Sequence, residues 1–302
     1  MHKPRILPGA TLLVVALSLS LTSCAGRPAR SAVKAPDAAA TAAQPELPVT
    51  DAATVAAIDA ALAGDHRLES NRARDQYRHP RETLTFFGLH RDMTVLEIWP
   101  GPAGWYTEIL APVLRERGRY IAAQWDPDIK VQYFQDGLRA FRTKLESRPD
   151  VYDRVEVTAL QVPNAMKPVP NGSVDLVLTF RNIHNWMSRD EARMYFEAMF
   201  AALRPGGILG VVEHRAPDTR PQDPRARDGY VREDYAIELI EGTGFRLLAR
   251  SEVNANPRDT KDYDQGVWTL PPSLRLGERD RDRYLAIGES DRFTLKFQKP
   301  AR

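Results

Sequence analysis

The segment VLEIWPGPAGWYTEIL, residues 95–110, constrains the fold of this 302-residue chain more than any other. An apolar run containing the acid Glu97 leads into a Pro/Gly turn and then into the start of a helix. Parallel strands that are apolar on both faces bring the backbone to the carboxyl edge of a sheet, where the next helix presents free N–H groups. Gly101 and Gly104 carry no Cβ, so they allow a tight turn and a close approach to a ligand. Alone, the segment fits a nucleotide-like site and an ordinary strand-to-helix loop equally well.

The first residues have the order of parts of a secretory signal. Lys3 and Arg5 precede a mostly apolar run, residues 6–21, which ends at Leu-Thr-Ser-Cys24. This run is shorter than the roughly 20 residues that span a bilayer comfortably. We therefore expect residues 1–23 to be a signal peptide that exports the protein.

Leu-Thr-Ser-Cys24 resembles the lipobox of bacterial lipoproteins, which implies that Cys24 is lipidated and anchors the protein in the cell envelope, on the periplasmic face. Cys24 is the only cysteine of the chain. An internal disulfide is thereby excluded, and a free thiol would be a liability in an exported protein. The alternative is a chance cysteine within an ordinary signal or membrane anchor.

Composition divides the remaining chain into a tether and a domain. Residues 24–51 are rich in Ala, Pro, Ser and Thr, which predicts a flexible tether, and residues 52–302 suffice for a single domain. Without Lys3 and Arg5 the 42 basic residues become 40, against 40 acidic ones. We expect no nucleic-acid partner, since its binding needs a clustered positive field. No HExxH or paired CxxC spacing is present, so we expect no metal.

Strand and helix patterns alternate along the domain, as in a mostly parallel sheet with helices on both faces. Ser188 and Glu191 have capping-box spacing, which predicts a helix over residues 188–203. The alternating residues 293–298 predict a last strand, antiparallel and at or near the sheet edge. Further strands are predicted at residues 119–125, 154–160, 174–180, 208–213 and 245–253, and helices at 133–147 and 232–241. Helices at residues 52–63 and 80–88 are predicted to form an N-terminal cap.

Three segments together resemble the class I S-adenosylmethionine-dependent methyltransferases over residues 74–300. VLEIWPGPAGWYTEIL is similar to the first motif of that family, PNGSVDLVLTFRNIHNW to its fourth strand and following loop, and LRPGGILGVVEHR to its helix exit and fifth strand. The resemblance implies a Rossmann-like, doubly wound α/β fold with seven strands, and S-adenosylmethionine as cofactor. It also implies methyl transfer to an acceptor, which we expect to be a small molecule. A dinucleotide-binding oxidoreductase fits less well, because GxGxxG is not met.

The resemblance also assigns cofactor-binding residues. It implies that Glu97 lies near the methionine end of the cofactor, with the turn around Gly101 and Gly104 against it. In the family, an acid at the end of the second strand holds the ribose hydroxyls, since a carboxylate can accept two O–H bonds. Gln124 and Asp126 compete for that place, and Asp126 is equally well explained as a turn residue.

Three departures from the family pattern concern the same site. Trp99 stands where the first glycine is expected, the turn at residues 102–104 looks one residue longer, and no acid follows the third strand. A large indole could stack on the ligand or fill its pocket. Cofactor binding is therefore a weaker inference than the fold.

The loop at residues 181–186 follows a predicted strand, where active-site residues of open sheets gather. His184 is the candidate general base, for an acceptor that must lose a proton. Arg181 and Asn182 are candidates for binding the cofactor or a polar acceptor. The alternative is a loop packed as core, in which His184 only hydrogen-bonds to backbone. Two second choices end the next predicted strand, Glu213 and His214.

Export conflicts with a cofactor that is made in the cytoplasm. One alternative is a catalytically degenerate lipoprotein that binds a ligand on a methyltransferase fold, with Trp99 and the missing acid as its marks. Another is a tethered interaction protein that uses residues 254–291 without a small ligand. The sequence favours a methyltransferase, with the degenerate lipoprotein as the alternative.

Overall fold

Seven strands form a single sheet in the computed structural model, which describes residues 49–301. The strands are β1 Thr94–Ile98, β2 Arg119–Gln124, β3 Glu156–Ala159, β4 Val174–Phe180, β5 Leu203–His214, β6 Arg246–Ser251 and β7 Arg292–Gln298. Their order across the sheet is β3-β2-β1-β4-β5-β7-β6. The first five strands in this order, β3-β2-β1-β4-β5, pair in parallel, and β7 is antiparallel to both β5 and β6. The predicted Rossmann-like, mostly parallel α/β fold with an antiparallel last strand is confirmed. The predicted signal peptide, Cys24 and most of the predicted tether lie outside the described residues.

Helices cover both faces of this sheet. They are α1 Ala52–Ala63, α2 Glu69–Arg72, α3 Asp75–Arg78, α4 Pro80–Phe87, α5 Thr107–Leu114, α6 Gln132–Ser147, α7 Pro149–Tyr152, α8 Ile183–Met187, α9 Ala192–Ala202, α10 Glu233–Glu241 and α11 Arg281–Ile287, with a 3₁₀ turn at Gly266–Thr269. No helix among residues 49–301 is long and apolar enough to cross a membrane.

Alternation along β1 explains why the sheet is buried on both faces. Leu96 and Ile98 belong to the core beneath α8, α9 and α10, whereas Val95 belongs to the core beneath α1, α4 and α5. Successive strand residues point to opposite faces, so a strand between two helical layers must be apolar throughout. Glu97, on the second face, is the exception, and it lies directly before the candidate site.

The N-terminal helices pack on α5. Asp51 caps α1 by accepting a 2.6 Å hydrogen bond from the backbone N–H of Thr54. Glu108 of α5 is fully buried and accepts hydrogen bonds from Asn71 (2.9 Å) and Lys144 (2.6 Å). The Nε atom of Arg67 lies 3.4 Å from the other carboxylate oxygen of Glu108. This network joins the segment around α2 to α5 and α6.

Two of the predicted elements differ in detail from the structure. The capping-box prediction is wrong, because Ser188 donates to the carbonyl of Asn185 (2.7 Å) and so closes α8, while α9 begins only at Ala192. Asp190, with a φ of 61°, separates the two helices. The last strand lies near the edge, as expected, but one position in from it, because β6 is the edge strand.

Candidate ligand-binding site

A cavity of about 360 Å³ opens at the carboxyl ends of β1 and β4. From β1 the chain continues to β2 on one side, and β4 lies on the other side, so the strand order reverses here. Ligands of open α/β sheets bind at such a switch point. The turn after β1 and the loop after β4 form its walls, through Trp99, Gly101, Arg181 and Asn182. We call it the switch-point cavity.

A second groove of about 350 Å³ lies between β2, β3 and α6. Its lining is mainly apolar, with Leu138 and Val157 as examples. Trp125 borders both the groove and the switch-point cavity. Because the groove holds neither the glycine turn nor the loop after β4, the switch-point cavity is the candidate site.

Trp99 has a left-handed backbone, with a φ of 51°. Glycine adopts that conformation most easily, which accounts for the glycine expected at this position. The indole Nε1 donates to the carbonyl of Leu160 at 2.8 Å, and the ring packs edge-on against Trp186 and Tyr195, with centroids 5.8 and 5.1 Å away. These contacts fix the indole as one wall of the cavity.

The two glycines of the turn face different surroundings. Gly101 has a φ of 75°, and no atom lies within 4 Å of the place where a Cβ would stand. Gly104 has a φ of 52°, and a Cβ there would meet Phe141 and Thr107 at 2.9 Å. Gly101 is therefore open to a ligand, whereas Gly104 allows α6 to pack closely on the turn.

Glu97 lies behind the turn and is 2% exposed. Its Oε2 accepts a hydrogen bond from the phenol of Tyr120, whose oxygen also lies 2.8 Å from Oγ1 of Thr107. Burial raises the pKa of Glu97 to about 7, although the Tyr120 hydrogen bond and the charge of Arg181 act in the opposite direction. Glu97 does not line the cavity, and its hydrogen-bond partner is Tyr120 of β2.

Gln124 and Asp126 have different environments at the end of β2. Gln124 is buried and donates from Nε2 to the carbonyl of Gly101 at 3.2 Å. Its Oε1 has no hydrogen-bond partner within residues 49–301. Asp126 accepts a 2.9 Å hydrogen bond from the backbone N–H of Asp128, which is the geometry of an Asx turn. Of the two, Gln124 contacts the glycine turn and has an acceptor atom to offer.

Arg181 and Asn182 follow β4. Asn182 donates from Nδ2 to the carbonyl of Ile98 at 2.9 Å, which joins the ends of β1 and β4. Arg181 has a φ of 60°, and its guanidinium lines the cavity. Burial, followed by the charges of Arg292 and Arg74, lowers the pKa of Arg181 to about 10, against the opposing effect of Glu289.

His184 is directed away from the cavity. It is 6% exposed, and its Nδ1 lies 3.0 Å from Oε1 of Glu213. The ring centroid of His214 is 5.3 Å away, and Nδ1 of His214 lies 2.5 Å from Oγ of Ser290. Burial, followed by the charge of His184, lowers the pKa of His214 well below its usual value. The predicted catalytic base therefore belongs to a buried hydrogen-bonded network.

The same network has the composition of a metal site. His184, Glu213 and His214 each offer a ligand atom, and these atoms lie within 4.8 Å of one another. A search for local metal motifs misses them, because 29 residues separate His184 from Glu213. The positive charges of Arg292 and Arg181 reach His214 and oppose a divalent cation there.

Solved structures share this architecture, whereas no protein-family model and no curated protein matches the chain. A SAM-dependent methyltransferase from Aquifex aeolicus is similar at a TM-score of 0.51 and 16% identity, over 75% of this chain and 93% of that one. The [4+2]-cyclase SpnF is similar at a TM-score of 0.55 and 16% identity, over 82% and 93%. The fold is that of the class I methyltransferases. At this identity the likeness extends to the fold alone.

Within this methyltransferase fold, the predicted cofactor residues have three kinds of position. Four line the cavity: Trp99, Gly101, Arg181 and Asn182. Glu97, Gly104 and Gln124 lie outside the cavity lining, where Glu97 bonds to Tyr120, Gly104 packs on Phe141 and Gln124 bonds to Gly101, and Asp126 closes its own turn. Sequence reasoning missed Arg74 and Arg78, which enter the cavity wall from α3 and its N-terminal flank. Their only local signal is two arginines four residues apart.

Proposed function

We propose that the protein is an S-adenosylmethionine-dependent methyltransferase that acts on a small-molecule acceptor. The switch-point cavity carries this proposal, because its walls are the turn and the loop that resemble the cofactor-binding segments of the family. Its volume of about 360 Å³ is within the usual range for small-molecule sites. The likeness to the Aquifex aeolicus methyltransferase is compatible with the proposal.

The residues present fit the proposed cofactor. Gly101 leaves open space beside its backbone in the cavity. Gln124, whose buried Oε1 has no partner among the described residues, lines the neighbouring groove and contacts the turn through Gly101. Trp99 and Trp125 offer aromatic surface to a planar group. When bound, S-adenosylmethionine supplies an electrophilic methyl group on sulfur. The chain's own task is then to orient the two reactants in line and to exclude water.

A general base is needed only if the acceptor must lose a proton on transfer. His184 remains the predicted base, although it does not line the cavity. The variant His184→Gln tests this role, because an amide can still hydrogen-bond to Glu213. Loss of turnover with unchanged affinity for S-adenosylhomocysteine would support the role, and unchanged turnover would contradict it.

Calorimetry on the full chain tests the proposal directly. We expect S-adenosylmethionine and S-adenosylhomocysteine to bind with micromolar affinity, and no binding of either at millimolar concentration would overturn the proposal. Gly101→Ala should weaken binding at least tenfold, because a Cβ would enter the open space. Gly172→Ala is the matched control, since Gly172 has a φ of 69° and equally open surroundings but lies outside the cavity.

The alternative is a catalytically degenerate lipoprotein that binds a ligand without transferring a methyl group. Trp99 favours it, because its indole occupies part of the cavity wall where the family has a glycine. The [4+2]-cyclase SpnF shares the fold, which is a reminder that a fold does not fix the reaction. Binding of S-adenosylhomocysteine without methyl transfer from S-adenosylmethionine to a broad set of small molecules would favour this alternative.

We also propose that residues 1–23 are removed on export, that Cys24 is lipidated, and that residues 24–51 tether the domain to the cell envelope. The order of basic, apolar and Leu-Thr-Ser-Cys segments supports this topology. Cys24→Ala should release the protein from the membrane fraction. Retention of that variant in the membrane would show that another element is the anchor.

A further inference from the structure

Three arginines pair with the carboxylate of Glu289, and two of them, Arg74 and Arg78, line the switch-point cavity together with a fourth, Arg181. Arg74 and Arg292 form ion pairs with Glu289, and Nε of Arg78 lies 3.2 Å from Oε2 of the same carboxylate. Arg181 is the fourth, and its charge interacts with Arg292, Glu289 and Arg74. These charges hold the pKa of Glu289 well below its usual value despite its burial. We call these five residues the arginine cluster.

The arginine cluster carries more positive than negative charge. Within the cluster one carboxylate offsets one of the four guanidinium groups and leaves a formal excess of three. Glu97, on which the charge of Arg181 also acts, offsets little of this excess near pH 7, because burial raises its pKa to about 7. Arg292 also donates to the carbonyl of Tyr77 at 3.0 Å, which gives it a structural role. Arg181 forms no ion pair with any residue in the described part of the chain, although it lines the cavity. Its guanidinium therefore has donors available to a ligand.

Arg78 also has a hydrogen-bond donor without a partner in the described part of the chain. Its side chain is buried, 3% exposed, and it lies beside the ring of Trp105, with Cζ 4.7 Å from the ring centroid. Nε bonds to Glu289, but Nη1 is buried without a hydrogen-bond partner in residues 49–301. An unpaired buried donor is costly, so a group that accepts from it would stabilise the site.

The proposed cofactor cannot neutralise this site by itself. S-adenosylmethionine has a sulfonium, an ammonium and a single carboxylate, so it adds net positive charge. A second ligand that is neutral or cationic would leave the guanidinium groups uncompensated in a partly buried cavity. The charge balance thus favours an anionic partner at the acceptor position.

We propose that the methyl acceptor is an acidic small molecule whose carboxylate or phosphate is bound by Arg78 and Arg181. The planar fork of arginine matches both oxyanions and binds them through paired, charge-assisted hydrogen bonds. Arg74, which is partly exposed at the same wall, adds to the attraction. This assignment of the acceptor class rests on the proposed methyltransferase function.

The test is calorimetry on the full chain saturated with S-adenosylhomocysteine, with inorganic phosphate and malonate as probes at constant ionic strength. We expect at least one probe to bind, and Arg181→Met to weaken its affinity at least tenfold while the affinity for S-adenosylhomocysteine changes less than threefold. Arg139→Met on α6 is the matched control, because Arg139 is exposed and pairs only with Asp136. Arg78→Met is a second variant, expected to act in the same direction.

Three results would overturn the inference. In the first, the wild type and Arg181→Met bind the anions with equal affinity. In the second, a chain that binds S-adenosylhomocysteine binds neither anion. In the third, Arg181→Met loses affinity for the anion and for S-adenosylhomocysteine equally. The last result would mean that Arg181 holds the carboxylate of the cofactor. Failure to bind S-adenosylhomocysteine would refute the proposed function and, with it, the acceptor assignment, whether or not the anions bind.

Discussion

The phenol of Tyr120 donates a 2.5 Å hydrogen bond to Glu97, and both side chains are buried directly behind the glycine turn. Tyr120 lies on β2, two residues before Ala122, which is the register partner of Glu97 on β1, so this contact ties the end of β1 to the neighbouring parallel strand. A single strong donor does not replace the hydration that a carboxylate loses on burial. The pKa of Glu97 is accordingly raised to about 7.

Glu97 should make stability fall as the pH rises. Its pKa is higher in the folded state, about 7, than the ordinary 4.5, so the folded state binds the proton more tightly. The resulting stabilisation is fully present below pH 4.5 and is lost as the pH rises through 7, a change of about 3 kcal/mol. Urea unfolding of the wild type and of Glu97→Gln at pH 4.5 and 8 measures it. Parallel pH profiles for the two proteins would contradict the prediction.

Removal of the Glu108 carboxylate should destabilise the fold strongly. Glu108→Ala leaves Arg67 without its buried partner, although Arg67 keeps its ion pair with Asp75. Breaking a buried pair of this kind costs about 3–5 kcal/mol. Chemical denaturation checks the value, with Glu146→Ala on the exposed face of α6 as a control expected within about 0.5 kcal/mol of the wild type. A loss below about 1 kcal/mol would mean that the network contributes little.

Trp99→Phe should lower the free energy of unfolding by about 1–3 kcal/mol, because the carbonyl of Leu160 loses its donor. Trp125→Phe is a matched control, since the indole Nε1 of Trp125 is buried without a hydrogen-bond partner in the described chain. We expect the control to be the milder of the two. An equal loss in both variants would show that the indole hydrogen bond of Trp99 is not the cause.

Gly104→Ala should be more destabilising than Gly101→Ala. Both positions have a left-handed backbone, which costs an alanine about 1 kcal/mol. Only at Gly104 would the new Cβ also meet Phe141 and Thr107 at 2.9 Å, which adds roughly 1–3 kcal/mol of overpacking. Thermal unfolding of the two variants gives the ranking, and a reversed order would contradict the assignment of Gly104 to packing.

The sequence predicts those parts of the fold that depend on local pattern. Doubly buried strands such as Val174–Phe180 are apolar runs, and the turn at Gly101 and Gly104 follows from backbone sterics. The capping-box error at Ser188 has a local cause as well, because the hydroxyl had two backbone partners available and used the preceding helix. The periodicity of the sequence does not distinguish between these two backbone partners of the hydroxyl.

The parts of the site that the sequence does not predict depend on distant pairs. Arg78 and Glu289 are 211 residues apart, and no pattern near either residue indicates that they meet. His184 is near in sequence to Arg181 and Asn182, but it faces Glu213 rather than the cavity. His184 and Asn185 are neighbours on the short helix α8, yet only Asn185 lines the cavity, because successive side chains of a helix point in different directions.

The position of β7 inside the sheet affects the order in which the protein can fold. During synthesis β5 and β6 emerge first, but neither can pair with the other, because β7 lies between them. Both strands therefore keep an open hydrogen-bonding edge until residues 292–298 arrive, and open edges invite pairing with other chains. The sheet can therefore be completed only after the last strand is synthesised. A nascent chain that stalls before residue 292 would be prone to aggregation, because it cannot form a stable partial sheet.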